Sequence, residues 1–375
     1  MRTAVISDLH LSLVSGGDVL RDPAVREILL AEIADADRVV LLGDVVELRE
    51  RPLGEALSTA GPFFEALGAA FAGREVILVP GNHDHHLAEP LLDDLGLAGG
   101  TLGLEALADP SPGPTAVLAE LLGPAKLRLA YPGISLREDV YATHGHYMDS
   151  HLRLPRAECI AAATSARIRG PIPAAATPAD YERVLRPIYG LAYAIAQGRR
   201  GPVGHQQKAA ESAWEALSGI EKQRPRAAQL RVAAARAAFP HGIYALNRLL
   251  HSQFEPDVSG PAIFRAGLDA ATELAARLGV DGGHVITGHS HRGGPVGEES
   301  WALPGGGQLH NTGSWVFSSV FHLPGEPPNP YWPGTVTWVE DEGPPRRVQL
   351  MLDRSHADLL ELVERVGGPV SHSTP

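Results

Sequence analysis

The first half of the chain alternates short apolar runs with segments of helical periodicity. Three of the apolar runs are rich in valine, isoleucine and leucine and predict buried strands, over residues 3–7, 38–42 and 75–80. Two helices are predicted between them, over residues 22–34 and 53–71, and Asp22 followed by Pro23 fits the start of the first helix. Alternation of this kind is typical of parallel strands with helices packed on the sheet.

A second group of strand-like runs follows after a long interruption, over residues 139–143, 284–287, 308–311, 335–339 and 348–352. Two segments rich in proline and glycine predict loops, over residues 109–114 and 323–334. Residues 150–260 differ in kind, since they are rich in alanine and arginine and place Ile243, Leu246 and Leu250 at helical spacing. We therefore predict an α/β core at residues 1–149 and 261–368, a mostly helical insertion at 150–260 and a tail at 369–375.

Charge is distributed unevenly along the chain. The formal net charge is −12 and the estimated pI is about 5.8, which argues against a surface built throughout to hold nucleic acid. The insertion holds 15 lysines and arginines against 8 aspartates and glutamates, whereas the whole chain holds 32 against 44. A cationic insertion beside an acidic body suggests an anionic partner near the insertion. An equal alternative is that these arginines lie on solvated helix faces or pair with the body.

Cysteine usage and the N-terminus bear on the compartment. Cys159 is the single cysteine, which excludes an intramolecular disulfide and a cysteine-rich zinc site, and we predict that it is a small buried hydrophobe. The first apolar run meets Asp8 too early for the core of a secretion signal, and no uncharged apolar run is long enough to span a bilayer. The expectation is a cytoplasmic protein without a transmembrane segment, and peripheral membrane contact stays open.

Each of the three early strands ends in a polar cluster: Ser7-Asp8-Leu9-His10, Gly43-Asp44 and Gly81-Asn82-His83-Asp84. Because the carboxyl ends of adjacent parallel strands converge on one crevice, the three clusters predict one site. Asp8 and His10 are two residues apart at a strand end, so their side chains are expected on the same side. The carboxylate of Asp44 can bridge two cations through its two oxygens.

The third cluster and two later segments add further candidate groups. Asn82 offers a neutral carbonyl oxygen, His83 a titratable imidazole, and Asp84 a carboxylate that can orient that imidazole. Histidines recur at two-residue spacing in Thr143-His144-Gly145-His146 and in Gly288-His289-Ser290-His291. Spacing of this kind at strand ends supplies imidazoles to a common pocket.

The ordered set of motifs resembles the calcineurin-like metallophosphoesterases. Their blocks are D-x-H, G-D-x-x-D, G-N-H-D, a later H that is often within HGH, and G-H-x-H, and four of the five match directly. The run His310-Asn311-Thr312-Gly313-Ser314 also resembles the strand and turn that follow G-H-x-H. The resemblance covers most of the chain except the insertions. It implies a four-layer α-β-β-α sandwich of two mixed sheets, with the helical insertion as a lid.

The resemblance also implies roles for individual residues. A first ion would be held by Asp8, His10, Asp44 and His291, and a second by Asp44, Asn82, His144 and His289. His83 would face the substrate, stabilising phosphoryl oxygens or protonating the leaving group, and Asp84 would hold His83 in place. The second block departs from the family, because Glu47 stands where an aspartate is common, and Glu47 is expected to support the site with a longer reach. His146 has two open interpretations, substrate contact or a hydrogen bond to a ligand.

The implied reaction is hydrolysis of a phosphate ester or anhydride (phosphodiester, pyrophosphate or monoester) by a hydroxide that bridges two divalent ions. Mixed imidazole, carboxylate and amide ligands suit manganese, iron, zinc, cobalt or nickel, and manganese is the first candidate. The opening Ser-Asp-Leu-His-Leu-Ser and the place of the insertion resemble the UDP-diacylglucosamine pyrophosphohydrolase branch. The expected substrate is therefore a small anionic phosphate compound, including nucleotide- and lipid-linked ones, and duplex nucleic acid is a poor candidate. The alternatives are a nuclease and a non-catalytic metal-binding scaffold on the same fold.

The other histidines are expected to serve no chemistry, with one exception. His85 and His86 follow the third block and are predicted to open a helix, exposed to water. His151 lies at the mouth of the insertion, where contact with substrate is one interpretation. Structural or surface positions are predicted for the rest: His205, His241, His251, His284, His310, His322, His356 and His372.

Overall fold

A computed structural model describes residues 1–198, 226–318 and 326–367. The strands in these ranges are β1 Thr3–Ile6, β2 Arg38–Leu41, β3 Glu75–Leu78, β4 Glu105–Ala108, β5 Lys126–Arg137, β6 Val140–Thr143, β7 His284–Thr287, β8 Gln308–Asn311, β9 Thr335–Val339 and β10 Arg346–Gln349. The helices are α1 Pro23–Glu32, α2 Leu53–Ala70, α3 Glu89–Leu97, α4 Pro114–Leu122, α5 Ala157–Arg169, α6 Pro178–Gln197, α7 Arg226–Leu250, α8 Gly260–Leu278 and α9 His356–Gly367. Short 3₁₀ helices span Val19–Arg21, His85–Ala88 and His146–Ser150.

The strands form one curled mixed sheet in the order β10-β9-β1-β2-β3-β5-β6-β7-β8, and β4 pairs with β5 at the side. Strands β1, β2, β3 and the first part of β5 run parallel, with Leu78 opposite Leu129. Strand β5 is 12 residues long. From Lys126 it pairs with β3, and from Gly133 it pairs antiparallel with β6. It therefore carries the hydrogen bonding from one half of the sheet to the other.

Alternate residues of β1, β2 and β3 face two different cores. Ile6, Leu41 and Leu78 pack with buried residues of α1, α2, α4 and α9, for example Leu29, Phe64, Leu118 and Leu359. The intervening residues Val5, Val40 and Ile77 pack with the other half of the sheet, through Ile134, Val140 and Ile286. Fully burying a side chain of this size stabilises the fold by roughly 1.5–3 kcal/mol. The two halves of the curled sheet are thus held face to face by apolar packing.

The predicted α/β class is confirmed, and the predicted elements of the first half lie within two residues of the observed ones. The side chain of Asp22 accepts hydrogen bonds from the amides of Ala24 and Val25, at 2.9 and 3.4 Å, and caps α1 as predicted. The last predicted strand is shifted, because β10 spans Arg346–Gln349 instead of 348–352. Strands β4 and β5 were not predicted. The division into two separate sheets of a four-layer sandwich stays a prediction, because β5 belongs to both halves.

The described part of the predicted insertion is mostly helical, with α5, α6 and α7 inside residues 150–260. Ile243 is buried, and Leu246 and Leu250 pack partly buried in the same cluster. Residues 199–225, the tail 369–375, His205, His322 and His372 lie outside the described residues, and the domain boundaries stay a prediction. Cys159 is buried, as predicted. Among the described helices, none combines the length and apolarity needed to cross a bilayer.

Candidate metal centre

The loops that follow β1 and β2 run side by side and carry the first candidate ligands. The amide of Asp8 donates to Gly43 O at 3.0 Å, and that of His10 donates to Asp44 O at 2.8 Å. Asp8, His10 and Asp44 adopt left-handed backbone conformations, with φ of 54°, 43° and 51°. His289 and His291 do the same, with φ of 65° and 59°. Left-handed non-glycine residues are uncommon and cluster at functional sites, so five of them here mark this loop region as one.

Asp8 and His10 lie close together as predicted, but not through the alternation of side chains along a strand. Strand β1 ends at Ile6, so the alternation of a strand does not place the two side chains on one side. Both nevertheless reach the same group, since His291 Nε2 lies 3.2 Å from Asp8 Oδ1 and 3.2 Å from His10 Nε2. The left-handed backbone at Asp8 and His10 therefore brings the two side chains to the same group.

Glycines precede Asp44 and His289 because no side chain fits there. A Cβ at Gly43, where φ is 84°, would collide with the ring of His144. A Cβ at Gly288 would collide with the carboxylate of Asp8. The glycines of two sequence motifs thus allow ligands from separate strands to approach each other closely.

The seven predicted ligands come together in two adjoining clusters. In the first, Asp8, His10 and His291 have ligand-type atoms within 4.8 Å of one another, and in the second, Asp44, His144 and His289 do. Asp44 Oδ2 lies 3.2 Å from His144 Nε2 and 3.6 Å from His10 Nε2, so it contacts both clusters. Asn82 Oδ1 adjoins the second cluster, 3.1 Å from His289 Nδ1. All of these side chains are buried or nearly so, and His291 is the most exposed.

Acceptor-only groups outside the clusters fix the tautomers of three imidazoles. His10 Nδ1 donates to Glu47 Oε2 at 3.0 Å, and His144 Nδ1 donates to Leu42 O at 2.9 Å. His289 Nε2 donates to Asp149 Oδ1 at 3.0 Å. Since a carbonyl or carboxylate oxygen can only accept, the opposite ring nitrogen of each histidine faces the cluster and offers it a lone pair when the ring is neutral. Hydrogen bonds of this kind orient histidines that bind metals.

The charges and lone pairs of the two clusters suit cations. Burial alone would raise the pKa of Asp44, but His144 and His83 hold it well below its usual range. Burial alone would lower the pKa of His144, but the charge of Asp44 raises it to about 10. The buried carboxylates therefore draw positive charge into the site, which protons on imidazoles or metal ions can supply.

The amide of Asn82 gives a second test of the fit. Its Oδ1 faces two acceptors, Asp44 Oδ2 at 3.2 Å and the lone pair of His289 Nδ1 at 3.1 Å. A cation among the three atoms makes this arrangement favourable. Rotating the amide is the other solution, in which Nδ2 donates to both and the oxygen accepts from Arg49 Nη1 at 3.0 Å. The donor set of carboxylate, imidazole and amide oxygen fits a divalent transition metal.

A ring nitrogen of His83 lies within 4.8 Å of ligand-type atoms of His10 and Asp44, and His83 is held by Glu47, not by Asp84. Its Nδ1 lies 2.6 Å from Glu47 Oε2, the same oxygen that accepts from His10, and its Nε2 lies 3.3 Å from Arg49 Nη1. Glu47 is fully buried, and His83 is the more exposed partner. Burial alone would raise the pKa of Glu47, but His83 and His10 hold it well below its usual range. Glu47 thus connects a candidate ligand with the candidate acid.

The expected role of Asp84 is corrected by its contacts. Its carboxylate accepts the backbone amides of Gly81 at 2.7 Å, Asp44 at 3.2 Å and Val45 at 2.7 Å. Burial and the charge of Asp44 raise its pKa to about 6. Asp84 therefore fastens the loop after β3 to the loop that carries Asp44.

His85 and His146 belong to a buried polar network that joins the core to α6. The expectation that His85 is exposed is wrong, because it is buried and its Nε2 lies 3.1 Å from Glu182 Oε2. Glu182 also accepts from the hydroxyls of Tyr131 and Tyr147. His146 Nε2 lies 3.2 Å from the Tyr131 hydroxyl, which favours hydrogen bonding over substrate contact. His86 is half-buried and stacks on Tyr193, with ring centroids 3.8 Å apart, and His151 Nε2 lies 2.8 Å from the Tyr181 hydroxyl.

The pair of His85 and Glu182 predicts a pH-dependent stability. Burial alone would lower the pKa of His85, but Glu182 raises it from 6.5 to about 9. The stabilisation is therefore complete below pH 6.5 and lost as the pH rises through about 9. In metal-loaded protein we expect the free energy of unfolding to fall by up to about 3 kcal/mol between pH 7 and 9.5, measured by chemical denaturation.

Glu182→Gln should lower the stability at pH 7 by about 3 kcal/mol and reduce the pH dependence, because it removes the nearer of the two carboxylates that pair with His85 and leaves Glu89 at 3.4 Å. Asp180→Asn is the matched control, since Asp180 belongs to the capping box of the same helix. It should cost about 1 kcal/mol and keep the slope. An unchanged slope in Glu182→Gln would assign the pH dependence to another group.

Sequence reasoning missed three residues beside the site. Arg49 contacts His83, Asp149 orients His289, and Glu158 pairs with Arg49. A signal existed for Arg49, which lies two residues after Glu47 in the second motif. No comparable signal existed for Asp149 or Glu158, because no motif marks the helical segments in which they lie.

The family model described as calcineurin-like phosphoesterase matches residues 1–158. No curated protein matches the chain. The similar solved structures include a dimetal phosphatase from Danio rerio, which covers 93% of this chain and 99% of its own at 12% identity, with a TM-score of 0.34. That likeness is too weak to carry an argument. The matched region contains four of the five motifs, and over residues 1–158 the chain is similar to the calcineurin-like phosphoesterases.

Proposed function

We propose that the protein is a dinuclear metal-dependent hydrolase of phosphate esters or anhydrides. The observation that carries the proposal is the position of Asp44, whose Oδ2 lies 3.2 Å from His144 and 3.6 Å from His10. One carboxylate oxygen thus adjoins both ligand clusters. A carboxylate shared in this way is what a pair of neighbouring ions requires.

The proposed ligands divide between the two clusters. Asp8, His10, Asp44 and His291 would hold one ion, and Asp44, Asn82, His144 and His289 the other. Hydrogen bonds to Glu47, Leu42 O and Asp149 support this assignment. They occupy the outer ring nitrogens of His10, His144 and His289, and the inner nitrogens are left to bind a metal ion. Manganese is the first candidate, ahead of iron, zinc, cobalt and nickel, since the donor set mixes oxygen and imidazole nitrogen.

Bound divalent ions would supply an activated water and neutralise charge on the phosphoryl group. His83 is proposed to act on the substrate itself, because it lies at the more open side of the clusters and Glu47 fixes its Nδ1. Its Nε2 can then deliver a proton to the leaving oxygen or stabilise a phosphoryl oxygen. Arg49, 3.3 Å from that nitrogen, is placed to bind a phosphoryl oxygen.

The insertion is proposed to form part of the substrate site. Asp149, at its border, contacts His289, and Glu158 of α5 contacts Arg49. An insertion that borders the site in this way would suit small substrates, including nucleotide- and lipid-linked phosphates, better than a duplex. A cytoplasmic location is part of the proposal, and the single, unpaired Cys159 is compatible with it.

The test is a screen of manganese-loaded protein against phosphate monoesters, diesters and pyrophosphates, including lipid-linked ones. We expect hydrolysis of at least one class, lost after chelation and restored by manganese. Loaded protein that hydrolyses none of these classes would contradict the proposal.

A further inference from the structure

An arginine–glutamate pair lies at the open side of the site, outside the ligand clusters. Arg49, in the loop after β2, donates from Nη2 to Glu158 Oε1 at 3.2 Å. Its other terminal nitrogen lies 3.3 Å from His83 Nε2. The side chains of Arg49, Glu158 and His83 are 18%, 26% and 26% exposed, in contrast to 2% for Asp44. A phosphoryl group that reaches His83 from solvent therefore meets this pair.

Glu158 brings a permanent negative charge to the open side. Burial alone would raise its pKa, but the charges of Arg156 and Arg49 lower it to about 2. The carboxylate is therefore ionised at every pH at which the protein would work. Glu158 is shared between Arg156 and Arg49, and it compensates part of the charge of Arg49.

The compensation has unequal effects on different phosphate esters. A monoester carries two negative charges above neutral pH, whereas a diester carries one. Because the Coulomb energy is proportional to each charge, Glu158 opposes the dianion about twice as strongly as the monoanion. A partly buried site screens this difference less than bulk water does.

We propose that Glu158 determines the substrate class, favouring monoanionic phosphodiesters over dianionic monoesters by compensating Arg49. This inference rests on the proposed phosphoesterase function. The competing role is purely geometric, in which Glu158 holds Arg49 in place for any phosphate ester.

The test compares 4-nitrophenyl phosphate with its methyl ester, which has the same leaving group and one negative charge less. Both are assayed at pH 8 with manganese-loaded protein. Glu158→Gln keeps an oxygen that can accept from Arg49 and removes the charge. We expect the ratio of kcat/KM for the monoester to that for the diester to rise about tenfold over wild type, the effect of about 1.4 kcal/mol.

Glu273→Gln is the matched control. Glu273 lies in α8 and accepts from Arg277 Nε at 2.7 Å, so this substitution also removes one carboxylate from an arginine pair. The ratio should stay at the wild-type value. An equal loss of kcat/KM for both esters in Glu158→Gln, or an unchanged ratio, would overturn the proposal in favour of the geometric role or of none.

Calorimetry at pH 8 with two probes that have poor leaving groups separates this inference from the proposed function. Methyl phosphate is the dianion and dimethyl phosphate the monoanion. Glu158→Gln should tighten binding of methyl phosphate about tenfold relative to dimethyl phosphate. If wild-type protein hydrolyses neither nitrophenyl ester but Glu158→Gln still shifts the two affinities in this way, the proposed function fails and the charge selectivity stands. If the ratio of the two affinities is the same in wild type and variant, the selectivity is overturned.

Discussion

Asp44→Ala should lose metal and activity together. Asp44 Oδ2 adjoins both clusters, so its removal weakens both proposed ions at once. We expect less than one equivalent of manganese after dialysis, measured by elemental analysis, and a fall in kcat/KM of at least about a thousandfold. Asp44→Asn keeps an oxygen for the amide of His83 and should give an intermediate loss of metal.

Asp22→Ala controls for the removal of a carboxylate as such. Asp22 caps α1 and pairs with Arg365, so the substitution should cost about 1 kcal/mol of stability without changing metal content. Two tightly bound ions in Asp44→Ala would defeat the shared-ligand assignment. So would a loss of metal in Asp22→Ala as large as that in Asp44→Ala.

His83→Ala should keep both ions and lower kcat by about a hundredfold to a thousandfold. The ring lies beside the clusters, and in the proposed mechanism its loss removes an acid or a phosphoryl contact without removing a ligand. Steady-state kinetics on the most active ester and metal analysis of the same preparation check the two parts of this expectation. Full activity would show that another residue acts on the substrate.

His86→Ala is the matched control, because His86 is a half-buried histidine three residues later that stacks on Tyr193. Its kcat should stay within about twofold of wild type. Glu47→Gln then tests the connection to His83. If Glu47 acts through His83, the double variant should be little worse than His83→Ala alone. If the loss of kcat in the double variant equals the product of the losses in Glu47→Gln and His83→Ala, Glu47 acts chiefly through His10.

Residues near strand ends were predictable because their position depends on local sequence. The runs that became β1, β2 and β3 are short and continuously apolar, and the polar residues directly after them had to share one edge of a parallel sheet. The left-handed conformations of Asp8 and His10 were not predictable, since neither residue is a glycine. The predicted proximity was right for a reason that the sequence did not reveal.

Other features depend on partners that are distant in sequence. Strand β5 contains Pro132 and Gly133, which break the strand signal, and its register is set by β3 and β6. His85 was expected in water, and it is buried because Glu182, 97 residues later, supplies its partner. Glu47, and not Asp84 as expected, holds His83 for a similar reason. Which carboxylate reaches His83 depends on how two loops pack, and adjacency in sequence favoured the wrong one.

Strand β5 also bears on the order in which the molecule can assemble. The first three strands and their loops lie on one side of β5, and the loop with His289 and His291 follows β7 on the other. His10 and His291 are 281 positions apart along the chain. Most of the polypeptide must therefore be synthesised before all of the proposed ligands can meet. A chain truncated before β7 would lack His289 and His291.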